Sequence, residues 1–198
     1  KNLPIKFKKN ILKNLRNITK KRKKILGFNL NKFLIFGVLN ITPDSFSDGG
    51  KFNKLKLAIK RSRQMSNEGA NVIDVGGEST RPGAKLITIN QEKKRVLQVI
   101  SKIKKFNVSI DTRKSDVMIA AVKNGAKIIN DVSALDFDHK ALEVIVNLKK
   151  PVILNHSLGT PDIMQNNPKY RNVLLDIYDY FENKIKQLKN KNYLMRNI

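Results

Sequence analysis

The chain has 198 residues, enough to bury a sizeable core, and one domain is the default at that length. It has no cysteine, which excludes disulfides, thiolate metal sites and a cysteine nucleophile, and it fits a reducing, cytoplasmic setting. Forty basic residues against 16 acidic ones give a formal charge of +24, which invites a nucleic-acid reading. The plainer explanation is compositional. Lys, Asn and Ile are abundant throughout, the basic residues are spread along the whole chain, and no nucleic-acid-binding module accompanies them. No apolar run reaches the roughly 18 residues of a membrane span, and the basic N-terminus lacks the apolar stretch of a signal peptide.

Residues 1–32 form a basic leader, and the first acid in the chain is Asp44. Ile11, Leu12, Leu15 and Ile18 recur there at helical spacing, so a short amphipathic helix is expected. It reads better as a solvated leader packed against the bottom of the fold that follows than as a membrane-surface helix. An apolar run at 33–39 then predicts a buried strand ending at Asn40, followed by a loop crowded with Thr, Pro, Asp, Ser and a Gly pair. A helix is expected over 54–68, with Leu55, Ala58, Ile59 and Met65 on one face and Gly69 as its stop.

The same grammar repeats. Strands are expected at 71–75, 108–110, 127–129 and 151–154, with helices at 90–104, 115–123, 140–148 and 173–189. Ser115 is read as an N-cap and Gly125 as a stop. Residues 193–198 could open a sixth strand. Strands alternating with helices at this spacing pair in parallel through right-handed crossovers. No G-x-G-x-x-G follows the first strand, which counts against a dinucleotide fold. Instead each strand ends in a polar residue: Asn40, Asp74, Asp111, Asn130 and Asn155. A ring of polar strand tips is the layout of a (β/α)8 TIM barrel, whose site is assembled from several βα loops at one face. A whole barrel takes roughly 250 residues. This chain supplies five units and the start of a sixth, begins with Lys1, and is read as a fragment, with the barrel domain over 33–198.

The strand tips carry the candidate chemistry. The Asp111 carboxylate can accept two parallel hydrogen bonds from an amidine-like edge, and Asn130 suits a heterocycle edge presenting both a donor and an acceptor. Either alone reads equally well as an ordinary loop residue; together at adjacent tips they favour a ligand. Residues 79–83, Ser-Thr-Arg-Pro-Gly, offer hydroxyls, a guanidinium and a stiff turn suited to phosphate. His139 and His156 lack metal-ligand spacing, and no Ser-His-Asp arrangement stands out. The residues point to binding and electrostatics rather than to a covalent nucleophile.

Five stretches resemble dihydropteroate synthase, a family of pterin-binding (β/α)8 barrels: GVLNITPDSFSDGG at 37–50, GANVIDVGGESTRPGA at 69–84, SIDT at 109–112, GAKIINDVS at 125–133 and a looser match at 151–170. The first two are long and specific. The resemblance implies condensation of para-aminobenzoate with a dihydropterin methyl diphosphate, releasing diphosphate. It implies that Asp111 and Asn130 hold the pterin edge, that Asn40 holds Mg²⁺ and the diphosphate, and that Phe46, Thr80, Arg81 and Pro82 lie near the aminobenzoate. It makes Asn40, Arg81 and Asp111 the catalytic set. It also implies a homodimeric parent that binds small molecules, with no specific nucleic acid and no membrane among its partners. The family usually carries a Met where this chain has Asn155, and its Asp-Pro-Gly, Ser-Arg-Lys and Arg/His motifs of strands six to eight do not occur here. The competing readings are a pterin-binding methyltransferase domain, a non-catalytic or degraded pterin-binding domain and, last, a nucleic-acid-binding protein.

Overall fold

A computed structural model describes residues 4–19, 24, 26–30, 32–42, 51–79, 86–157 and 169–194. The chain divides into two units, Lys1–Phe33 and Leu34–Ile198. In the first, α1 (Ile5–Thr19) is the basic amphipathic helix that the spacing predicts; Ile5, Phe7, Ile11, Leu12 and Leu15 are all exposed, and its first turn has no acid.

The second unit alternates strand and helix without interruption: β1 (Phe36–Asn40), α2 (Lys51–Asn67), β2 (Val72–Gly76), α3 (Ile89–Ile103), β3 (Val108–Asp111), α4 (Ser115–Lys123), β4 (Ile128–Asp131), α5 (Ala141–Leu148), β5 (Val152–Leu154) and α6 (Val173–Asn190). All strands run parallel in the order β1-β2-β3-β4-β5, so each strand pairs with its sequence neighbours. That sequential order is the one a barrel requires; a doubly wound sheet reverses direction at a switch point. The five strands are those of an incomplete (β/α)8 barrel. The first strand begins at Phe36 rather than at 33, and Phe33 is almost wholly exposed. No strand forms at Tyr193 or Leu194; residues 195–198 of the expected sixth strand lie outside the described residues.

Register sorts the strand residues onto two faces. Asn40 pairs with Gly76, Gly76 with Asp111, Asp111 with Asn130, and Asn130 with Ile153, so these share one face. One layer deeper on that face lie Val38, Asp74, Ser109 and Ile128. The opposite face carries Leu39, Ile73, Val75, Val108, Ile110, Ile129 and Val152, all in one buried cluster with residues of α2 to α5 and with Leu188 of α6. The apolar core therefore fills the space between sheet and helices. The second face is polar towards the strand ends.

The helices form where expected, and their ends have local causes. Thr88 caps α3 in a capping box: its side chain accepts from the Gln91 N–H, while the Gln91 side chain accepts from the Thr88 N–H at 2.9 Å. Gly69 (φ +109°) and Gly125 (φ +117°) follow α2 and α4 in the left-handed region, where glycine carries no Cβ penalty. Ser115 is not the N-cap of α4 as expected. Lys114 holds that position without a side-chain cap, and the Ser115 N–H is met instead by Asp138 Oδ2 at 2.8 Å. A carboxylate from the next βα loop does the capping because Ser115 already lies inside the first turn. On α6, Lys184 Nζ and Tyr180 Oη both reach the Asp136 carboxylate, tying that helix to the loop after β4.

Candidate active site

The candidate site lies at the C-terminal ends of the strands. Of the residues singled out from sequence, the structure brings Asn40, Asp111 and Asn130 onto one face at the same register level. Gly76 lies between the first two. A Cβ there would come 3.0 Å from Asn40 Oδ1 and 3.4 Å from Asp111 Oδ2, so the bare glycine keeps open the space between an amide oxygen and a carboxylate. Phe46, Thr80, Arg81 and Pro82 lie outside the described residues.

Asp74, one layer below, is buried, and Asn130 Nδ2 donates to its Oδ2 at 3.0 Å. Asn155 Nδ2 in turn donates to Asn130 Oδ1 at 3.1 Å. A run of side chains thus crosses from β2 through β4 to the end of β5. Ser109, the register partner of Asp74 on β3, is also buried, and its hydroxyl stabilises the Asp74 carboxylate against burial.

The electrostatics are one-sided. Burial pushes Asp111 up to about 7, helped by the charges of Asp74, Glu92, Asp131 and Glu78. Burial also raises Asp74, against the opposing hydrogen bonds from Ser109 and Asn130. Among the described residues no Lys or Arg forms an ion pair with Asp74 or Asp111. A carboxyl poised near neutrality, with no cation of its own, is a group awaiting a donor-rich partner.

Beside the site lies a second charged group that sequence reasoning missed. Lys114 Nζ donates to Glu78 Oε1 and to Glu92 Oε2, each at 2.7 Å, and Arg113 Nε donates to Glu78 Oε2 at 3.0 Å. All four residues are buried, and Glu92 is completely so. The Arg113 guanidinium also lies 4.0 Å over the ring of Phe137. Burial alone would raise Glu78; the Lys114 ammonium, the Ile87 N–H and the Arg113 charge outweigh it and hold this carboxyl below its usual range. Through Ile87 N–H to Glu78 Oε1 at 3.1 Å, the cluster anchors the segment that leads into α3. Gly77 completes the fit, since a Cβ there would stand 2.7 Å from Val96 Cγ1 and 3.0 Å from Glu92 Cγ. One signal could have revealed part of this: Glu78 sits inside the second matched stretch, directly after the glycine pair.

Comparison with known proteins agrees with this geometry. Residues 36–197 match the model of the pterin binding enzyme family. The chain is 46% identical over 150 residues to the dihydropteroate synthase of Escherichia coli K12, covering 74% of this chain and 53% of that one. Among solved structures it resembles Xanthomonas albilineans dihydropteroate synthase with 4-aminobenzoic acid (TM-score 0.80, 35% identity, 90% of this chain and 65% of that one). It also resembles the Burkholderia cenocepacia enzyme complexed with 7,8-dihydropteroate (TM-score 0.75, 30% identity, 86% and 58%). The chain spans about half the length of the curated bacterial relatives that it matches at such identity. With its sequence, strand order and polar strand tips in agreement, the chain belongs to the pterin-binding enzyme family.

Proposed function

We propose that this chain carries the pterin half of a dihydropteroate synthase active site. The parent enzyme would be a transferase of folate biosynthesis. It would condense para-aminobenzoate with (7,8-dihydropterin-6-yl)methyl diphosphate to give 7,8-dihydropteroate and diphosphate. The observation that carries the reading is the pairing of Asp111 with Asn130 at one register level, above a buried Asp74. The relatives named above support it, one being bound to 4-aminobenzoic acid and another to 7,8-dihydropteroate.

In this reading Asp111 accepts two hydrogen bonds from the amino-pyrimidinone edge of the pterin, and it does so best when ionised. Asn130 offers its remaining N–H and its remaining lone pair to the same ring system. Asn40, at the tip of β1, faces the end of the pocket that the diphosphate would occupy. Arg81 and Thr80, on the loop after β2, would meet anionic oxygens, while Phe46 and Pro82 would wall the aminobenzoate. The amine attacks the methylene carbon as diphosphate leaves, so no protein nucleophile is required. Fixed donors around the departing oxygens lower the barrier by stabilising charge where it develops.

Mg²⁺ fits this site in one specific way. Among the described residues no three carboxylates or histidines gather into a cage. Mg²⁺ usually takes only one or two protein oxygens, completing its shell with waters and substrate phosphates. Asn40 Oδ1, facing the gap above Gly76, is such an oxygen. Bound there, the ion would neutralise charge on the leaving diphosphate. A cytoplasmic location and a homodimeric parent belong to the same proposal and rest on the family resemblance.

Calorimetric titration of the chain with the dihydropterin diphosphate and Mg²⁺ tests the reading, beside an Asp111→Ala variant that unfolds at a comparable temperature. Binding by the wild type that the variant loses is the expected result. Equal binding by both would remove Asp111 from the site and with it this assignment.

A further inference from the structure

Resting on that reading, we propose that Asn155 is a positioning residue of the pterin pocket, whose amide holds the Asn130 amide in the one orientation that suits the heterocycle. An asparagine amide has two faces to offer, and turning it over exchanges its donor for its acceptor. Asn130 is gripped at both ends. Its Nδ2 donates to Asp74 Oδ2 at 3.0 Å, and its Oδ1 accepts from Asn155 Nδ2 at 3.1 Å. The flipped amide would set an oxygen against the Asp74 carboxylate and an NH₂ group against the Asn155 NH₂, two repulsive contacts in place of two hydrogen bonds.

The two grips differ in kind. Asp74 acts as a pure acceptor only while it is ionised, and burial raises its proton affinity. Once protonated, it can donate to an oxygen and so tolerate the flipped amide. Asn155 does not titrate, and its grip is the same at every pH. It is also exposed, just beyond β5, so its amide adds little to the core, whose residues lie on the other face of the sheet. Its structural contribution is small and its effect on Asn130 is direct. With the orientation fixed, Asn130 keeps one N–H and one carbonyl lone pair for a planar ligand edge that carries an acceptor beside a donor.

The test uses the whole chain and (7,8-dihydropterin-6-yl)methyl diphosphate, titrated calorimetrically between pH 5.5 and 8.5. Three proteins are compared: wild type, Asn155→Ala and the isosteric Asn155→Asp. Asn155→Ala removes one grip, so affinity falls roughly 2- to 10-fold at pH 8. The loss widens as pH falls, because Asp74, once protonated, no longer opposes the flipped amide. Asn155→Asp presents a carboxylate to Asn130 Oδ1, so either orientation then meets one carboxylate with its oxygen, the preference is lost, and affinity falls at least as far as in Asn155→Ala. Urea midpoints of the three should agree closely, which separates positioning from general damage. Wild-type affinity in Asn155→Asp, or in Asn155→Ala, overturns the proposal while leaving the pterin reading intact. A wild-type chain that binds no pterin overturns both.

Discussion

Two groups of buried charge sit side by side at the strand ends, and they are built on opposite principles. In the first, Glu78 and Glu92 face Arg113 and Lys114: two acids, two bases, three hydrogen-bonded ion pairs of 2.7–3.0 Å, all inside the protein. In the second, Asp74 and Asp111 have no basic partner among the described residues, and both carboxyls have raised proton affinities. Burying a charge is costly unless it is paired. The first group offsets that cost internally and so acts as structure, holding the start of α3 and the loop before it. The second leaves the cost standing, as expected where a ligand is to offset it.

The largest effect should come from breaking the neutral group. Lys114→Met leaves Glu78 and the fully buried Glu92 without their shared cation, and stability should fall by about 3–5 kcal/mol, read from urea denaturation. Breaking the acidic group should have the opposite sign. The Asp111 carboxyl titrates near 3.8 in the unfolded chain and near 7 in the folded one, so the folded state holds the proton more tightly between those values. The wild type therefore loses stability as pH rises from about 4 to about 7, and the loss is complete above that. Asp111→Asn removes this slope. At pH 8 it should be more stable than the wild type by about 2 kcal/mol, allowing for the solvent on its open side, and the two should converge near pH 4. Denaturation at the two pH values checks both statements.

A smaller change sharpens the contrast. Gly76→Ala places its methyl between Asn40 Oδ1 and Asp111 Oδ2, and the exposed Asn40 can turn aside, so stability should change by less than about 1 kcal/mol. Pterin binding should nevertheless fall about tenfold, measured by the same titration, because the methyl occupies the ligand's space. Thr88→Ala touches neither group. Losing the capping box should cost about 1 kcal/mol and leave pterin affinity unchanged, which makes it the control for the other three.

Much of this arrangement was legible in the sequence. Short apolar runs that stop at a polar residue announced the five strands and most of their tips, because strand burial and loop solvation leave opposite signatures at one boundary; Asp74 is the exception, lying inside β2, which runs on to Gly76. Asn40, Asp111 and Asn130 were found that way, and the register put them together. The ion-paired group was not found. In a chain with 40 basic residues, nothing in the sequence separates the buried Lys114 from a solvated lysine; only the approach of α3 to the end of β3 does that. Asn155 stood out from sequence as a polar residue in an apolar place. Its partner, Asn130, lies 25 residues away and emerges only from the pairing of β4 with β5. Ser115 was misread as a cap because its true partner, Asp138, belongs to another loop.

The central claim is that Asp111 is kept uncompensated for a ligand. The most direct measurement is a carboxyl-carbon NMR titration of Asp111 in the free chain and in the chain saturated with the dihydropterin diphosphate. The account predicts an apparent pKa of about 7 in the free protein, falling well below that when the pterin edge donates to the carboxylate. A free-protein value near 3.8, or a raised value that the ligand leaves unmoved, would contradict it.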